Sequence, residues 1–130
     1  MDSRVAKALG AGAAVAALLG GCDSAADSVV RDTAQRFLTA DPATACTMLA
    51  VRAMEDLTRH GREACPDALT EARAPGGTVS EVAIWGADAQ AKAGAETLFL
   101  HEYEDGWRIT AGGCQSRGPD VPYACLVGGP

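Results

Sequence analysis

The side chains with the most chemistry in this chain are its 5 cysteines and 2 histidines. Two thiols can close a disulfide, a thiolate is a nucleophile or metal ligand, and an imidazole moves a proton near neutral pH. The cysteines stand at 22, 46, 65, 114 and 125, with no Cys-x-x-Cys spacing and no paired histidines, so the pattern does not support a zinc site. His60 precedes Gly61 at an expected helix end, where the helix C-terminus favours a cation. His101 stands two residues from both Phe99 and Tyr103, and in a strand these three share a face. Such a histidine could act as a general acid or base if a polar partner tuned it, and the sequence shows no such partner. The same residues also read as core aromatics around a hydrogen-bonded histidine. Glu55 with Asp56, and Glu102 with Glu104, read as solvated surface. The glycine pairs at Gly76-Gly77, Gly112-Gly113 and Gly128-Gly129 lack the strand, loop and helix context of a phosphate cradle. No serine sits in a nucleophile elbow. No catalytic set and no cofactor is expected.

A chain of 130 residues allows one domain. The net charge of -6 argues against nucleic acid, because tracking a phosphate backbone takes clustered Lys and Arg. It also gives no attraction to anionic lipid, so membrane attachment would need a covalent anchor. An odd number of cysteines in an exported chain implies that one has a separate fate.

Residues 1–21 explain that fate. Arg4 and Lys7 make a short positive start, and Ala8 to Leu19 is an unbroken run of small apolar residues. The run is too short for a membrane span of roughly 20 residues and fits the apolar core of a signal peptide. It ends in Leu19-Gly20-Gly21-Cys22, which resembles a bacterial lipobox. The resemblance implies cleavage before Cys22 and a diacylglyceryl group on its thiol. Two or three acyl chains anchor stably where one is marginal. Asp23 resembles a signal for retention at the inner membrane, so the expected place is the outer face of the bacterial cytoplasmic membrane.

The elements that must position the remaining residues follow from periodicity. Residues 22–27 read as a short tether and 28–130 as a single domain, with Ser28 as a potential cap. Val30, Ala34, Phe37 and Leu38 lie on one face of a helix. Asp41-Pro42 then starts a second helix carrying Cys46, Met48 and Leu49, since Asp caps well and Pro suits the first helical position. A third helix runs from Arg52 to His60 with Met54 and Leu57 on one side, and a shorter one begins at Cys65-Pro66. Ala74-Pro75-Gly76-Gly77 divides this helical half from a strand half. Strands are expected from Thr78 to Trp85, over Ala89–Ala93 as an edge or half-exposed strand, from Thr97 to Tyr103, from Trp107 to Ala111 and from Tyr123 to Val127. A three-residue turn, Glu104-Asp105-Gly106, would pair Tyr103 with Trp107, His101 with Ile109, Phe99 with Ala111 and Glu102 with Arg108. That register makes one aromatic face, and the candidate pocket is therefore Phe99, His101, Tyr103 and Trp107.

Helices first and a meander after them imply an α+β fold. The order and the run Asp105-Gly106-Trp107-Arg108-Ile109 resemble the nuclear transport factor 2-like superfamily. The spread from Ala45-Cys46 through Cys65, Gly113-Cys114 and Pro122-Tyr123-Ala124-Cys125 is similar to small exported members of it. The resemblance implies N-terminal helices packed on a curved, cone-like antiparallel sheet, and it bears on fold more than activity. With Cys22 acylated, four cysteines allow three pairings. Cys46–Cys65 and Cys114–Cys125 keep each bridge within one half of the fold.

Three functions fit these readings. The first is a non-catalytic module, tethered to the membrane by its lipid, that binds a small apolar ligand or an envelope protein. The second is an isomerase- or dehydratase-like enzyme with His101 and Tyr103 in a cone pocket; it needs a second polar group from the helical half facing His101. The third is a structural accessory subunit of an envelope complex.

Overall fold

A computed structural model of the chain describes residues 16–61, 64–73 and 77–129, with side chains from Ala25 onward except at 60 and 61. Residues 1–15 of the leader, the Cys22 thiol and the His60 ring therefore lie outside the described residues. Four helices precede the strands: α1 (Ala16–Thr39), α2 (Pro42–Thr47), α3 (Val51–Gly61) and α4 (Cys65–Ala72). The strands are β1 (Val79–Trp85), β2 (Asp88–Ala93), β3 (Glu96–Tyr103), β4 (Gly106–Cys114) and β5 (Val127–Gly128). They form one antiparallel sheet in chain order. The fold is α+β.

The helix α1 passes straight through the expected tether at 22–27. Ala25 and Ala26 favour helix, and Asp27 pairs with Arg31 one turn on, at 3.5 Å. Nothing there stops the helix, so Ser28 is an interior position and not a cap. Further along, Val30, Ala34, Phe37 and Leu38 are buried, as their spacing predicts. The Arg73 guanidinium donates to the carbonyls of Phe37 and Ala40, placing a cation where helix carbonyls are left over. Asp41 caps α2 by accepting from the Thr44 N–H at 3.0 Å, with Pro42 in the first turn. The second helix stops at Thr47, earlier than expected. Met48 and Leu49 leave it to run beside β4, where Ile109 donates to Met48 and accepts from Ala50.

Both bridges join the cysteines expected to pair. Cys46–Cys65 ties α2 to the first turn of α4, and Cys114–Cys125 ties the end of β4 to the C-terminal segment.

The sheet buries one face under the helices. Val82, Ile84, Ala89, Ala91, Ala93, Leu98, Leu100 and Ile109 pack there against α1, α3 and the loop between α2 and α3. The strand β2 is interior, between β1 and β3, and not an edge. Its alanines suit that place, because three small side chains let α1 approach the sheet closely. The Gln35 side chain clamps α1 to the start of β1: its amide donates to Gly77 O, and its oxygen accepts from Val79 N–H.

Tight loops set the register. Gly86-Ala87 and Gly94-Ala95 each open with a glycine near φ +60°, as the first position of a II′ hairpin turn demands. The last hairpin departs from expectation. Its loop is Glu104-Asp105, and Tyr103 pairs with Gly106, Glu102 with Trp107, His101 with Arg108 and Leu100 with Ile109. The expected register placed Ile109 opposite His101, away from Leu98 and Leu100. The observed register brings those three aliphatics onto one buried face, and a one-residue slip exchanges every side chain between faces. A bulge then leaves Phe99 opposite Ala111, the one expected pair that is present. The final strand is also shorter than expected. Ala124 bridges Gln115, and only Val127–Gly128 pair with β4.

Candidate functional site

With Leu98 and Leu100 turned to the helices, strand alternation turns Phe99, His101 and Tyr103 to the opposite face of the sheet. Trp107 is not among them. The slipped hairpin places it beside Ile109 on the helix side, half-buried against the core. Three of the four expected pocket residues therefore share a face, and that face is not the one the helices cover.

Pairing across the sheet makes His101 the centre of a row. Trp85 lies opposite Asp88, Asp88 opposite His101, and His101 opposite Arg108. The His101 Nδ1 is 2.8 Å from Asp88 Oδ1. In the neutral tautomer with its proton on Nδ1, the ring donates to the carboxylate and Nε2 is an acceptor. The Tyr103 ring meets the imidazole edge to face at 4.8 Å. Arg108 is fixed by an ion pair with Asp105 and by donating to Thr47 O at 3.0 Å. The hydrogen bond from Arg108 holds the Asp105 carboxyl below the usual aspartate range, and the same contact raises the guanidinium. Among the described residues, no group of three or more His, Cys, Asp or Glu is placed to hold a metal ion.

Phe99 belongs to a neighbouring feature. The C-terminal segment, pinned by Cys114–Cys125, folds back over this end of the sheet and sets Tyr123 edge-on to Phe99, with ring centroids 5.1 Å apart. Phe99, Thr110, Ala111, Pro122, Tyr123 and Gly129 line a groove of ≈ 360 Å³. Glu96 Oε1 accepts from Gly113 N–H at 2.8 Å, joining the start of β3 to the end of β4. The candidate residues thus divide between two neighbouring places: Phe99 in the groove, and His101 with Tyr103 in the open row.

No protein-family model, curated protein or solved structure matches this chain. The site rests on its own geometry.

Sequence reasoning missed Asp88, Trp85, Arg108 and Tyr123. For Asp88 a signal existed. A two-residue Gly94-Ala95 loop pairs Ala93 with Glu96, and counting back along both strands places Asp88 opposite His101. For Tyr123 there was none, because its approach to Phe99 depends on the path of an irregular segment. The polar partner that His101 lacked in the sequence comes from β2, not from the helical half.

Proposed function

We propose that this chain is an exported, lipid-anchored binding module at the outer face of the bacterial cytoplasmic membrane, and that its groove takes a small apolar molecule. The groove carries the reading. It is mostly apolar, it offers the Thr110 hydroxyl and the Tyr123 phenol as orienting groups, and a disulfide fixes its outer wall. Its size is at the low end for small-molecule pockets, roughly 300–1,000 Å³. The anchoring rests on the lipobox-like Leu19-Gly20-Gly21-Cys22, and two disulfides suit an oxidising compartment. Among the described residues, no helix is long and apolar enough to cross a membrane. The helices-then-meander order further supports membership of the nuclear transport factor 2-like superfamily.

The test is native mass spectrometry of the full chain, exported with its leader, exposed to envelope extract and released in mild detergent. We expect a retained small molecule, lost in Tyr123→Ala. A ligand-free mass for the unmodified chain would overturn the groove reading and turn the search toward an envelope protein partner.

The Asp88–His101 pair favours a second reading, an isomerase- or dehydratase-like enzyme, since a carboxylate on Nδ1 is how an imidazole is oriented for proton transfer. His101→Phe separates the two. The binding module keeps its retained molecule in this variant, whereas the enzyme loses turnover of that molecule.

A further inference from the structure

The row beside the groove has a different composition and fits a different ligand. From β1 to β4 it reads Trp85, Asp88, His101 and Arg108, with Tyr103 two residues along β3. Exposed rings stand at the β1 end of the row and beside its β3 member: Trp85 is 52% and Tyr103 43% accessible. Between them stand a carboxylate and an imidazole, joined to each other, their side chains 56% and 38% exposed. Trp85 and Tyr103 are two strands apart and two residues displaced, so their backbone positions are about 12 Å apart.

Charge narrows the partner. The chain as a whole carries -6, yet on this part of the face Asp105 is paired with Arg108 and Glu81 with Lys92 at 3.7 Å, and Asp88 is hydrogen-bonded to His101. The row presents neither a basic track for an anionic polymer nor a free acidic cluster for a cation. What it offers is two exposed aromatic rings flanking a hydrogen-bonded carboxylate and imidazole on neighbouring paired strands.

We propose that this row is a binding face for an uncharged glycan, an extended chain of β-linked pyranose units. The axial C–H bonds of a pyranose lie flat on the negative face of an aromatic ring. Its equatorial hydroxyls donate to a carboxylate such as Asp88 and to a free imidazole nitrogen such as His101 Nε2. The spacing of Trp85 and Tyr103 is that of a short oligosaccharide, and the polar pair between them meets the hydroxyls it would present. Arg108, opposite His101 on β4, is held by Asp105 and by the Thr47 carbonyl. The face does not share its lining with the groove, so either can fail without the other.

The experiment is titration of the full chain with two soluble probes, chitohexaose and cellohexaose, followed by tryptophan fluorescence in a Trp107→Phe background where Trp85 alone reports. We expect saturable binding of at least one hexamer with a shift of Trp85 emission to shorter wavelength. Calorimetry of the otherwise unmodified chain should show affinity about tenfold weaker for Tyr103→Ala and lost for Trp85→Ala. Both residues are exposed, and unchanged melting would establish that these variants fold. Tyr123→Ala, in the groove, should bind as the parent does. Failure of both hexamers to bind, or binding unaffected by Trp85→Ala and Tyr103→Ala, would overturn the proposal.

Discussion

Gly128 carries more of the structure than its size suggests. Its φ is +60°, and a Cβ there would sit 2.1 Å from the Thr110 carbonyl oxygen, which is backbone and cannot swing away. Gly128→Ala should therefore push β5 off β4, at a cost of about 2–3 kcal/mol read by denaturant melting. Gly86 is the control. Its φ of +62° matches that of Gly128, but nothing lies within 4 Å, so Gly86→Ala should cost only about 1 kcal/mol. Equal losses would mean that backbone strain alone decides, and that the contact with Thr110 is immaterial. Single residues were unevenly legible in the sequence. Asp41-Pro42 announced a cap because a carboxylate and a fixed φ act within one turn of chain. Gly128 looked like one of several glycine pairs, because the atom it must avoid is distant in sequence. Asp88 looked like turn punctuation for the same reason, although it supplies the group that orients His101.

Between elements, the two disulfides have different duties. Cys46–Cys65 fastens helix to helix under the sheet, whereas Cys114–Cys125 pins the segment that forms the wall of the groove. Replacing either pair with alanine should cost about 2–4 kcal/mol, with the longer loop only slightly favoured. The difference should appear in ligand retention at a temperature where both variants are folded. Loss of the second bridge abolishes it and loss of the first does not; the reverse pattern would place the ligand among the helices. Most helices and strands were readable from periodicity, and keeping each bridge within one half of the fold gave the observed cysteine pairs. The last hairpin was not. Its expected register put three aromatics together with His101, a pattern chosen from one pair of strands. The observed register was decided by the need to keep Ile109 with Leu98 and Leu100 beneath the helices, a demand that only the assembled layers impose.

For the molecule as a whole, the break at residues 74–77 gave away the α+β division, because helices and strands fell cleanly to either side of it. The face that stays uncovered was not readable, since it depends on which side the helices choose. The address is open to direct test. Cys22→Ser should move the chain from the detergent phase to the aqueous phase on phase partitioning and abolish labelling by a radioactive fatty acid; an unchanged distribution would remove the lipid anchor from the account. The continuity of α1 across 22–27 then acquires a mechanical meaning. With a lipid on Cys22, the link to the domain is a boom and not a rope. The stretch from Cys22 to the first buried core residue, Val30, covers about 12 Å at the rise of a helix, and Gln35 and Arg31 lock the far end of that rod to β1. Such a mounting fixes standoff and tilt together. The open row and the groove would face a set direction relative to the bilayer, instead of sweeping freely above it.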